Sequence, residues 1–223
     1  RTADLAASYM IAGFVHGVLN SDNINITGES FDYGPWRFTP GWTPGFTAAY
    51  FDHQGLYAFG RQAEAIHWDV AQLAISLRMI TESEPLIAAL DRFSGLYADA
   101  MRRRFCWRLG VKQPDDEAAT LLIETAVRAM TESDIAIDRF FFDWRGGSLR
   151  SDDAKARYDN EHWRSFQALA EKLAPSGPLT HPYWASGSPC SMHIDEVEQI
   201  WSAIADHDDW VPLETKITAI GRM

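Results

Sequence analysis

The sequence predicts a mainly α-helical fold carrying one small β-hairpin near its start, and three observations predict it. Apolar residues recur at helical spacing over most of the 223-residue chain. Pro85, Pro114, Pro175 and Pro212 fall where helices would start or break. One stretch alone, INITGESFDYGP (24–35), reads as a strand pair: Ile24 and Ile26 alternate with polar residues, Gly28 marks the turn and Phe31 resumes the apolar phase.

Taken in order, residues 2–14 carry an apolar stripe of Leu5, Tyr9, Met10 and Phe14. The hairpin follows. Residues 35–60 are rich in Gly, Pro and aromatics, which reads as a long ordered loop, and such loops are uncommon unless functional. The segment 61–80 is a strong helix with Ile66, Val70, Leu73, Ala74 and Leu77 on one face. Further helices are expected near 84–109, 115–130, 133–143, 159–173, 194–206 and 212–220, with WRGGSLRSDD (144–153) and APSGPLTHPYWASGSP (174–189) as connecting loops. The segment 193–210 is expected to pack Ile194, Val197, Trp201 and Ile204 inward. Two regions are expected, 1–130 and a helical extension 131–223 packed on it.

Composition bounds the function. At 46% hydrophobic and 13% aromatic, the chain can build a substantial core. Its 31 acidic against 20 basic residues give a net charge of −11, which argues against non-specific nucleic-acid or anionic-membrane binding. Cys106 and Cys190 are too few for a disulfide framework, so a reduced compartment is the default, with a single bridge between them left open. No apolar run approaches the roughly 20 residues of a membrane span. The start has neither a signal-peptide layout nor an initiator methionine, so the chain is expected to begin inside a longer protein.

The stretch HGVLNSDN (16–23) carries the chemistry. It resembles the catalytic loop of kinases, H-R-D-x-x-x-x-N or H-G-D-x-x-x-x-N, with His16 and Asn23 in register but Val18 where the base belongs. Valine accepts no proton. Nine residues after Asn23 stands Asp32-Tyr33-Gly34, close to the kinase D-F-G triplet, and the intervening hairpin would bring Asn23 and Asp32 together. Phosphoryl or nucleotidyl transfer needs oxygen ligands for Mg²⁺ beside the polyphosphate, and an Asn with an Asp across a hairpin mouth supplies them. Asp22, next to Asn23, is a carboxylate that would replace the missing base.

These residues, with YAFGRQAEAIHWDVAQLAISL (57–77), resemble the selenoprotein O family, called YdiU in bacteria. The resemblance is strong over 12–80 and weaker beyond. It implies a protein-kinase-like fold without the usual catalytic aspartate, transferring AMP from ATP, held in reversed orientation, to Ser, Thr or Tyr hydroxyls of proteins. Under it Asp22 matches the proton acceptor, Asn23 and Asp32 match the Mg²⁺ ligands (Mn²⁺ being a substitute), and Asp32 also lies beside the nucleotide. The family's Gly-rich loop, ATP-contacting lysine with its glutamate partner, and phosphate-binding arginines lie upstream of this motif and are absent. The chain therefore resembles a C-lobe (1–130) with its extension, lacking the N-terminal lobe that would complete the site, and weak or no ATP turnover is expected of it alone. The cysteine- or selenocysteine-bearing tail of many members is also missing. The resemblance implies a cytoplasmic setting for a bacterial protein and a mitochondrial one for a eukaryotic protein. Two rivals stay open: an ordinary kinase using Asp22, and an inactive nucleotide-binding pseudokinase scaffold.

Other residues have plainer readings. His16 is expected to brace the loop rather than to react. Asp69 either accepts hydrogen bonds from the loop backbone or is an ordinary exposed helix residue; the first predicts a cost above about 1 kcal/mol for Asp69→Ala. His53 is expected to pack among Trp42, Phe46 and Tyr57. Arg102, Arg103, Arg104 and Arg108 read as a solvated helix face in preference to a phosphate grip. The histidines show no zinc-ligand spacing.

Overall fold

The computed structural model describes residues 1–223 and is built almost wholly of helices. They are α1 (Thr2–Ala12), α2 (Gln62–Leu77), α3 (Ser83–Asp91), α4 (Phe93–Leu109), α5 (Asp116–Ser133), α6 (Ile137–Asp143), α7 (Asp152–Tyr158), α8 (Arg164–Ala170), α9 (Ile194–His207) and α10 (Val211–Ile220). The sheet consists of two strands, β1 (Phe14–Val15) and β2 (Arg37–Phe38), antiparallel with Phe14 opposite Phe38. No helix is long and apolar enough to cross a membrane.

Local chemistry explains the boundaries. Gly13, at φ 70°, ends α1 in the left-handed conformation that a Cβ would strain. Asp115 caps α5 by accepting from the Ala118 amide, and Ser151 caps α7 by accepting from Ala154. The expected helix at 84–109 is divided at Arg92 into α3 and α4, and α7 starts in the last two residues of the segment read as a loop (144–153) and runs on to Tyr158, before the helix expected from 159. The expected boundary at 130/131 falls inside α5.

Two cores form. The larger joins α1, α4, α5, α6, α7 and α8 through Phe105, Leu109, Phe140, Tyr158, Trp163 and Phe166, all fully buried. Trp163 stacks on Phe140 at 5.5 Å and donates from Nε1 to Ser133 Oγ at 3.0 Å, so its one polar atom is satisfied inside. The smaller core packs Ala3, Ala6, Tyr9, Leu19, Ile66 and Phe93, fixing α1 and α2 on either side of the loop after β1.

Charge ties these helices as well. Arg103 and Arg104 both pair with Asp4 of α1, Arg102 pairs with Asp99 and Asp116, and Arg108 pairs with Asp138 while donating to the Ile11 carbonyl. The arginine run is thus a set of ion-paired cross-links, neither a free solvated face nor an open phosphate grip. Arg104 beside Asp4 holds that carboxyl below its usual range.

Two expected inward faces differ. No residue of α9 is buried, and Trp201 is 65% exposed, so this helix is no core element. On α2, Ile66 and Ala74 are buried while Leu73 is exposed, because α1, the loop after β1 and Phe93 of α4 cover one face of the helix and leave Leu73 outside it. Cys106 and Cys190 are free; burial pushes the Cys106 thiol up to about 11.

Candidate functional site

The loop between β1 and the turn at Ser21–Asn23 is pinned from below. His16 is fully buried; its amide donates to Gln62 Oε1 at 3.0 Å, and its Nε2 lies 2.9 Å from the Phe31 carbonyl. Its Nδ1 faces the Val18 amide at 3.4 Å, which assigns the Nε2–H tautomer and makes Nε2 the donor. Burial lowers the His16 pKa, against the raising influence of the Phe31 carbonyl and Asp32. Gln62, also buried, returns Nε2 to the Phe14 carbonyl at 2.8 Å, clamping α2 to the chain on both sides of Val15.

The expected hairpin is present in reduced form. A single antiparallel bridge joins Ile24 to Ser30, and Asn25 accepts from Gly28 while donating to Glu29. Gly28 takes φ 89° in that turn. The paired strands form elsewhere, at β1 and β2, because residues 25–29 use their backbone groups within the turn.

Asn23 is 7% exposed, and its side chain donates from Nδ2 to the Val18 carbonyl at 3.0 Å, leaving Oδ1 without a partner. The Asn23 carbonyl accepts from the Phe31 amide at 3.1 Å, so this rung of the hairpin mouth joins Asn23 to the residue immediately before Asp32. Asp32 takes φ 59°, a left-handed conformation rare outside glycine, and its exposed carboxylate has neither hydrogen bond nor ion pair. Asp22 is exposed in the turn, also unpaired. An amide oxygen on this rung and a carboxylate on the residue next to it are donor types that suit a hard cation taking its remaining ligands from phosphates and water, as Mg²⁺ does.

Asp69 sits beneath this turn on α2, 4% exposed. Neither of its oxygens has a hydrogen-bond partner, so the expected bonds to loop amides are not made. The Val18 and Asn23 amides are taken by His16 Nδ1 and the Asn20 carbonyl. Burial, then the charge of Asp22, pushes Asp69 up to about 7.

Residues that the sequence reading passed over complete the frame. The Tyr9 and Ser30 hydroxyls are hydrogen-bonded, and Tyr33 donates to the Ser30 carbonyl at 2.8 Å, tying α1 to the D-Y-G segment. Tyr57 donates to Asn20 Oδ1, and Asp52 accepts from the amides of Leu56 and Tyr57 at 2.7 and 2.8 Å, so the long loop holds the Ser21–Asn23 turn. His53 is exposed rather than packed among aromatics.

The family model described as protein adenylyltransferase SelO matches residues 1–221. The chain belongs to the SelO family. Among curated relatives, proteins named protein nucleotidyltransferase YdiU from Trichodesmium erythraeum and Synechocystis sp. are 32% and 33% identical over 95% of the chain, covering 47% and 48% of those proteins. That of Synechococcus elongatus is 36% identical over 96% of the chain and 48% of its own length. The chain thus spans about half the length of these SelO relatives. The match over 1–221 extends the likeness well beyond the 12–80 segment where the motifs are dense.

Proposed function

We propose that this chain is the C-terminal half of a protein adenylyltransferase, a kinase-like C-lobe with a helical extension, which moves AMP from ATP to Ser, Thr or Tyr hydroxyls of other proteins. The observation that carries the reading is the rung joining Asn23 to Phe31, which sets Asp32 one residue beyond it, with Asn23 Oδ1 and the Asp32 carboxylate unclaimed and the unpaired Asp22 beside them. The family description and the relatives' names support nucleotidyl transfer.

In this reading Asn23 and Asp32 hold Mg²⁺, which neutralises charge on the polyphosphate when bound. Asp22 accepts the proton of the acceptor hydroxyl. The hydroxyl oxygen forms a bond to the α-phosphorus, the bridging α–β P–O bond breaks, and pyrophosphate leaves with its electron pair. His16 and Gln62 hold the loop still, keeping the two carboxylates and the amide in fixed relation. Asn23 and Asp32 would serve attack on the γ-phosphorus equally well, so AMP transfer rests on the family alone. The remaining half of the nucleotide site comes from the N-terminal lobe of the same polypeptide. Two unlinked cysteines and bacterial relatives fit a cytoplasmic setting.

The test incubates the full-length polypeptide with Mg²⁺ and ATP labelled separately at the α- and γ-phosphate. Label from α only, lost in Asp32→Ala, is expected. Label from γ only would make it a kinase, and transfer of neither would make it a nucleotide-binding scaffold.

A further inference from the structure

The loop that holds the Ser21–Asn23 turn also forms one side of an open groove of about 780 Å³, lined by parts of the segment 44–58, Ala48, Ala49, Tyr50 and Asp52 among them, together with Arg37 and Arg61. Its charge is unbalanced. Arg61 is engaged by Glu64 at 3.1 Å and donates to the Gly55 carbonyl. The one carboxylate in the lining, Asp52, is turned into the loop to accept its two amides. Arg37 has nothing. Every other half-buried arginine of the chain makes a hydrogen bond or an ion pair, whereas the Arg37 guanidinium makes neither and stacks on no ring. Its side chain is half-buried, yet its guanidinium nitrogens remain open to the groove, which leaves them free to accept an anionic partner.

The groove is also built onto the site. Its Ala48–Ala49 wall packs on Gly17, where a Cβ would come within 3.2 Å of Ala48 Cβ and 3.5 Å of the Ala49 nitrogen. Tyr57, from the same loop, reaches Asn20, two residues before Asp22. At the rim Tyr50 is 88% and Phe51 51% exposed, their rings edge to face at 5.2 Å, an aromatic pair offered to solvent.

We propose that this groove receives an extended acidic segment of the acceptor protein, seating a carboxylate on Arg37 and an apolar side chain against Tyr50 and Phe51. Arg37 is thereby a specificity-determining residue, and favoured acceptor hydroxyls have Glu or Asp nearby in sequence. The proposal rests on the adenylyltransferase reading, since it names that enzyme's substrate class. A segment can reach Arg37 and the Tyr50–Phe51 pair together, whereas a free carboxylate in solution would gain little from one screened arginine.

The test measures fluorescence anisotropy of serine-centred peptides flanked by Glu, by Gln or by Lys, added to the chain without nucleotide. The Glu peptide is expected to bind best. Its affinity is expected to fall about tenfold in Arg37→Glu and less in Arg37→Gln, with the Lys peptide gaining in Arg37→Glu. Arg92→Glu, an equal change of net charge at the exposed junction of α3 and α4, is expected to leave the preference unchanged. Thermal melts confirm that each variant folds, and Arg37→Gln serves if Arg37→Glu does not. Equal affinity for Glu and Lys peptides would overturn the proposal, as would an equal loss in Arg92→Glu. So would ATP binding that displaces the Glu peptide and weakens in Arg37→Gln, which would give Arg37 to a polyphosphate. Label transfer by the full-length polypeptide separates the two readings. Transfer of α-label without acidic preference sinks the groove alone; acidic preference without transfer sinks the adenylyl chemistry and leaves a peptide-binding groove.

Discussion

His16 Nε2 donates to the carbonyl of Phe31 at 2.9 Å, so a fully buried imidazole on the loop after β1 holds the residue immediately before Asp32. The imidazole is kept neutral by burial, and the bond fixes where the D-Y-G segment begins.

His16→Ala removes these bonds and leaves a cavity, and is expected to cost about 2–3 kcal/mol, lowering Tm by about 5–10 °C. The pH dependence has a definite sign. The folded pKa is depressed, so the stabilisation is full above the unfolded value near 6.5 and is lost as pH falls below it, where the unfolded chain takes up a proton first. Urea midpoints at pH 7.5 and 5.5 check this: wild type should lose more on acidification than His16→Asn.

Asp69 has the opposite slope. Its folded pKa, about 7, lies above the unfolded value of 3.8, so ionisation costs stability as pH rises between those values, and the whole cost is present above 7. Asp69→Asn is expected to gain on wild type by about 2 kcal/mol between pH 5 and pH 8. Equal slopes for the two proteins would mean that Asp69 finds a partner in solution.

Gly17 takes φ 88°, and a Cβ there would stand 2.8 Å from Pro35 Cγ. Gly17→Ala combines left-handed strain with a clash, and a loss of about 2 kcal/mol is expected in urea denaturation. The damage should concentrate in residues 44–58, read by faster amide exchange there than in α5.

For the chemistry, Asp22→Asn is expected to leave nucleotide affinity near wild type in the full-length polypeptide while lowering transfer about 10²–10⁴-fold. Asn23→Ala and Asp32→Ala should weaken Mg²⁺-dependent nucleotide binding as well. Loss of binding in Asp22→Asn as large as in Asp32→Ala would remove its assignment as a base and make it a ligand.

The turn at Ser21–Asn23 and its closure on Phe31 were legible in the sequence because their signal is local. His16, Asp22, Asn23 and the D-Y-G triplet lie within nineteen residues, and the chain between them can only turn back on itself. Helices with strong apolar periods, such as α5, were legible for the same reason. What was not legible depends on partners distant in sequence. Gln62 sits on His16 from 46 residues away, β1 finds β2 across the turn, and Arg37 is left alone only because the groove's one carboxylate is used elsewhere. Asp69 and α9 show the converse error. A period or a position on a helix states which face is available, not whether another element covers it or supplies a donor.

The helical hairpin of α9 and α10 is held to the body by little beyond the loop before it, and Lys216, its one buried residue, bonds to Glu196 at 2.6 Å and to the Ser191 carbonyl, both nearby in the same region. Its local opening therefore exposes little new apolar surface and breaks few contacts with the two cores. A protease at low concentration should nick the chain between Ser186 and Asp209 long before it reaches α5, leaving a trimmed body that melts at nearly the original temperature.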